Sequence, residues 1–182
     1  IIAHINGAGD ASVFSWIATK TGFKAKADHR QLVGKYKYLR FFPDEINQSI
    51  YKIRVGDIEV YEDTECLKFR HKSANSAPDV DWEDVGFVHI FGRRVYMTGF
   101  RSNIIRLSIA NMPDDIATGH FHGIVLSTQT KTSKVFAASF ALLHESHVNY
   151  AALANMTGSE LVAFFTSLGI ADPIFDFKLM ID

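Results

Sequence analysis

From Gly34 onward the chain is dominated by a two-residue alternation of apolar and polar positions. Gly34-Lys35-Tyr36-Lys37-Tyr38-Leu39-Arg40-Phe41-Phe42 is aromatic-rich and alternating, which predicts a strand that Pro43 and Asp44 end. Ser49 to Val55 and Ile58 to Tyr61 flank Gly56-Asp57, a dipeptide that predicts a tight hairpin. Leu67, Phe69 and His71 alternate with Lys68, Arg70 and Lys72, the pattern of a half-exposed strand, and Ser73 to Asp81 is a polar loop. Val85 to Phe91 and Val95 to Thr98 surround Gly92-Arg93-Arg94 as a further hairpin. Ile104 to Ile109 is a short apolar strand, followed by a turn at Asn111-Met112-Pro113-Asp114-Asp115. Gly119 to Ser127 and Val135 to Leu143 flank the polar loop Thr128 to Lys134.

Helical spacing occurs only near the ends. Asp10 is an N-cap for Val13, Phe14, Ile17, Ala18 and Thr21, with Gly22 as the stop and Lys24 to Leu32 as a polar connector. Thr157-Gly158-Ser159-Glu160 fits a capping box ahead of Leu161, Phe164, Phe165 and Leu168, and Gly169 ends that helix. Phe175 to Ile181 alternates as a final strand. The pattern therefore predicts a mainly β, antiparallel domain with minor helices: a curved sheet or β-barrel with a helix near each end, because closure removes exposed edges. One domain spans 1–182, with a helix and connector at 1–33, a β core at 34–143, and a helix and strand at 144–182.

Composition narrows the function. Apolar residues are 47% of the 182 and aromatic residues 13%, enough for a core without disulfides. The single cysteine, Cys66, excludes an intramolecular disulfide and points to a reducing, cytoplasmic setting. A net charge of -1 argues against a nucleic-acid-binding surface over the whole chain. No run approaches the roughly 18 uncharged apolar residues of a membrane span, and no signal peptide is visible. The start, Ile1-Ile2-Ala3-His4, lacks an initiator Met, so a fragment of a longer protein is expected, although processing after synthesis would look the same.

Few constellations carry chemistry. His120-Phe121-His122 places two imidazoles on one strand face, the spacing of a metal pair, and His144-Glu145-Ser146-His147 offers two more. The pair resembles the His-x-His of cupins, which would imply a metal-dependent enzyme. Ile124 to Ser127 stand where that family places a Glu, and its second motif is missing, so no metal and no cofactor are expected here. Cys66 lies beside Asp63 and Glu65, which oppose a thiolate, so it reads as structural. No nucleotide-binding, metalloprotease or serine-hydrolase motif occurs, and Gly7-Ala8-Gly9-Asp10 reads as a cap and turn. Ala18 and Gly22 have the spacing of a helix-turn-helix core, but Lys24 to Leu32 lacks a recognition helix, so a packing helix is expected. The stronger site is Tyr36, Tyr38 and Arg40, which share one face, together with Arg106, a charge inside the apolar run Ile104 to Ile109. Two tyrosines and guanidinium groups suit a polar or anionic ligand; the alternative is that the tyrosines are core or rim aromatics and both arginines pair with carboxylates.

The order of features, from Gly34-x-Tyr36-x-Tyr38-Leu39-Arg40 through Val85-Gly86-x-Val88, Arg94-Val95-Tyr96-Met97 and Ile104-Ile105-Arg106-Leu107 to His122-Gly123-Ile124-Val125-Leu126, resembles the C-terminal region of bacterial Cro-repressor-like (XRE-type) helix-turn-helix regulators. The resemblance covers about Trp16 to Leu143, and residues 149–182 have no counterpart in it. It implies a signal-sensing domain that binds a small molecule or a partner domain and reaches DNA only through a separate N-terminal domain. A homodimer is compatible with it, and a membrane partner is not expected. Other functions that fit the residues are a lipocalin-like carrier, a cupin-like enzyme and an interaction or dimerisation module.

Overall fold

The computed structural model describes residues 29–43, 51–63, 66–73, 84–101, 104–128, 135–170 and 174–175. The helix expected from Asp10 to Thr21 and most of the expected strand from Phe175 lie outside these residues. Eight strands follow one another in chain order: β1 (Gly34–Pro43), β2 (Tyr51–Asp63), β3 (Cys66–Ser73), β4 (Asp84–Phe91), β5 (Arg94–Arg101), β6 (Ile104–Asn111), β7 (Phe121–Thr128) and β8 (Val135–His144). Each pairs antiparallel with the next, and β1 pairs with β8 from Tyr36↔His144 to Arg40↔Phe140, which closes the barrel. A two-residue strand, β9 (Ile174–Phe175), adds to β8 at Ala137 and Ala138, beyond the part paired with β1. Among the described residues no helix is long and apolar enough to cross a membrane.

The expectation at Gly56-Asp57 is corrected. The chain does not turn there: β2 runs unbroken from Tyr51 to Asp63, with Gly56 opposite Tyr38 on one side and Ser73 on the other. Gly56 is not among the glycines with positive φ, so it has no primed-turn geometry. A Cβ on it would lie 2.8 Å from Nε2 of His71, so the glycine makes room for an inward ring. The hairpin between β4 and β5 does form at Gly92-Arg93, where Gly92 has φ +59°.

Register assigns every inward side chain. Tyr36, Ile58, Leu67, Val88, Val95 and Phe121 point inward toward the end where β1 begins, and all are buried. That end is closed by a 3-10 turn (His29–Leu32) whose Leu32 is buried. The apolar run in β8 does not alternate because residues 137–143 are buried on both faces. On the outside of the barrel, α1 (Gly158–Ser167) sets Phe165 edge-on against Phe41 of β1, with ring centroids 4.7 Å apart. Its first turn is capped as expected: the Glu160 carboxylate accepts the Thr157 backbone N–H at 2.7 Å.

Candidate functional site

The half of the barrel interior near the start of β4 is polar. His71 on β3 and Asp84 on β4 are register partners, so both side chains face inward side by side. Nδ1 of His71 lies 3.0 Å from Oδ2 of Asp84, and Nη2 of Arg106 lies 2.8 Å from the same oxygen. An ionised carboxylate only accepts, so Nδ1 of His71 carries the proton. The phenol ring of Tyr38 stands edge-on to His71 at 5.3 Å, and the Arg40 guanidinium lies 5.9 Å from the Tyr38 ring centroid. Space for these groups comes from glycines. Gly56 faces the His71 ring, while Gly86 and Gly99 face the ring of Phe69 beneath it.

Two polar atoms of this cluster are buried without a hydrogen-bond partner: the Tyr38 hydroxyl and Nε of Arg106. Tyr38 is only 3% exposed, and the Arg106 side chain 11%. A buried polar group left unpaired costs roughly 1–3 kcal/mol, so each atom would gain from an acceptor. Burial lowers the basicity of Arg40, opposed by Tyr38 and Asp84 and reinforced by Arg106. Arg40 and Arg106 therefore sense each other across the interior.

Burial also pushes the His71 pKa down, and Arg106 and Arg40 add to that, against the opposing bond to Asp84. Folded His71 is thus neutral at pH values where the unfolded side chain, with a pKa of about 6.5, begins to protonate. The unfolded state then binds more protons, so stability is full above about pH 6.5 and falls as the pH drops toward the folded value. Melting temperatures measured from pH 7.5 to 5 should decline for the wild type and decline less for His71→Gln. A residual slope is expected from His120 and His147, whose pKa values are also lowered, chiefly by burial. Identical slopes for the two proteins would rule out His71 as a source.

Of the residues singled out in the sequence, Tyr38, Arg40 and Arg106 lie together. Tyr36 is inward and buried, but it belongs to the closed end. Its hydroxyl donates to the Leu32 carbonyl at 2.8 Å, and its ring meets Phe121 and His144 edge-on. The proton of that hydroxyl is committed to the 3-10 turn. Outside the closed end is a cavity of about 480 Å³ lined by Gln31, Arg93, Met112–Ala117, His144 and Ser146. Its polar groups bind one another: Arg93 pairs with Asp114, and His144 meets Ser146 at 2.6 Å.

The two histidines stay side by side, but only His122 lies on a strand. His120 precedes β7, and His122 points outward within 3.4 Å of Asn111 Nδ2. Their ring centroids are 5.6 Å apart, and among the described residues no third His, Cys, Asp or Glu joins them in a metal-holding group. The consecutive strand order also differs from the jelly roll of cupins, which needs Greek-key crossovers. Cys66 donates from Sγ to the Asp63 carbonyl at 3.4 Å.

His71 and Asp84 were missed as site residues. The available signal was the alternation of Leu67, Phe69 and His71, which puts the imidazole on the apolar face. Nothing local marks Asp84, because its partners come from β3 and β6. Comparison of the chain with family models, with curated proteins and with solved structures finds no match.

Proposed function

We propose that the barrel is a binding domain for a small anionic ligand whose carboxylate or phosphate oxygens meet Tyr38 and Arg106, beside Arg40. The observation that carries this reading is the pair of buried donors, the Tyr38 hydroxyl and Arg106 Nε, left without partners inside a closed barrel. Eight strands enclose an interior just wide enough to be filled by side chains or to hold one small ligand. Here the unpaired donors lie in the polar half. Arginine's fixed fork of donors suits planar or tetrahedral oxyanions.

The resemblance to XRE-type regulators supplies a setting. A ligand that binds one state of the domain better than another biases the regulator between them, and a separate helix-turn-helix domain reads the DNA. The closed up-and-down barrel favours a second reading, a lipocalin-like carrier. A DNA-binding domain in the same reading frame separates the first from the second.

The test uses Tyr38→Phe, which removes only the hydroxyl. In the free protein it should be neutral or stabilising by about 1 kcal/mol, because an unpaired buried group is lost. Titration calorimetry with inorganic phosphate and with succinate should show saturable binding of at least one of them to the wild type. That binding should weaken at least about 10-fold in Tyr38→Phe. If neither anion binds, or binding is unchanged in the variant, the reading is wrong.

A further inference from the structure

The outer surface of the barrel divides into sectors of different chemistry. On β1 to β3 it is charged and cross-linked by ion pairs: Lys37–Asp57 at 2.6 Å, Arg70–Glu59 at 2.6 Å and Lys68–Asp63 at 2.7 Å. Two of these pairs join direct register partners, the arrangement of a solvated sheet face. On β4 to β7 the row Arg94, Asn111 and His122 is polar, and the rest of the outer surface is mainly apolar. Val85, Phe100, Ile105, Ile109, Ile124 and Leu126 are all exposed, Ile105 by 64% and Val85 by 51%.

Register makes these six one patch. Val85 faces Phe100, which faces Ile105. Leu126 faces Leu107 and Ile124 faces Ile109 in the adjoining rows. The outward positions between them hold aromatic, threonine and leucine side chains and no charge. A half-solvated antiparallel sheet ordinarily alternates polar-out, as β3 does here, so an apolar patch on the outer face of four strands needs a cover.

We infer that this face is covered by the same face of a second copy of the chain, in a two-fold symmetric dimer. The six side chains together expose on the order of 500 Å², at the upper end of what monomers tolerate. Two copies would therefore bury about 1,000 Å² from these residues alone, which reaches the size of a specific interface. An uncharged patch fits an uncharged partner, because a charged surface would be desolvated against it without a counter-ion. The chain itself carries such a surface, and an isologous contact uses one patch twice and closes. A net charge of -1 gives two copies little repulsion to overcome.

Sedimentation velocity on the 182-residue chain should give a concentration-dependent species with the mass of two chains. Ile105→Lys places an ammonium in the patch and should raise the dimer dissociation constant at least about 30-fold. Ile124→Lys, on a different strand of the same patch, should do the same, so the result does not depend on one variant folding. Val148→Lys, at an 87% exposed valine outside the four strands, should leave the dimer intact. Circular dichroism confirms that each variant retains its sheet. A wild type that stays monomeric up to about 100 µM overturns the inference and leaves the patch to a different partner. So does a dimer that survives both lysines in folded protein, or assembly that runs on past two chains.

Discussion

Replacing Asp84 with asparagine is expected to lower stability by about 3–5 kcal/mol, the usual result of removing one member of a buried ion pair. Asparagine keeps the shape and one acceptor, so packing is preserved and the missing charge is what the measurement reads. Oδ2 of Asp84 takes both the His71 ring N–H and the Arg106 guanidinium, with all three side chains at most 11% exposed. Without it, Arg106 stays buried with its Nε already unpaired and its nearest counter-charge gone. For a chain of this size the loss corresponds to a fall in melting temperature of roughly 10 °C. The double variant Asp84→Leu with Arg106→Met removes both charges and should recover most of the loss. A single-variant loss under about 1 kcal/mol would mean that the cluster is hydrated rather than dry. The wild-type cation left beside Asp84→Asn also makes bound phosphate more stabilising in that variant than in the wild type, if the anion occupies this site.

Gly86→Val should be as damaging, for a steric reason. A Cβ on Gly86 would lie 2.0 Å from the Thr98 carbonyl oxygen, 2.8 Å from Cα of Gly99 and 2.7 Å from the Phe69 ring. The ring can shift, but the two backbone atoms belong to β5, so relief requires β4 and β5 to move apart. That breaks ladder hydrogen bonds and displaces Asp84, two residues away on the same inward face. Overpacking costs typically about 1–3 kcal/mol, and a clash with backbone belongs at or above the top of that range, so a loss of at least about 3 kcal/mol is expected. Gly158→Ala is the control: nothing lies within 4 Å of its Cβ position and it sits in the first turn of α1, so it should be neutral or slightly stabilising. Urea unfolding followed by circular dichroism compares them. A loss below about 1 kcal/mol for Gly86→Val would show that the strands yield easily.

Much of the barrel was legible in the residues. The alternation in 34–41 and 67–72 placed the side chains of β1 and β3 on the correct faces, because a strand's two-residue period is a local property. Thr157, Glu160 and Gly169 marked the ends of α1 for the same reason: caps are satisfied within a few residues. The grouping of Tyr38 and Arg40 followed from one strand's period. Three things were decided only by the tertiary structure. Gly56-Asp57 has the local chemistry of a hairpin, yet the strand continues, because the glycine is needed where the His71 ring crosses from β3. Tyr36 and Tyr38 look equivalent, and they are separated only by what lies against each: Leu32 for the first, and the His71 neighbourhood for the second. His71, Asp84 and Arg106 meet because β3, β4 and β6 are carried around a closed sheet, and a cluster assembled across such distances in sequence leaves no periodic trace along the chain.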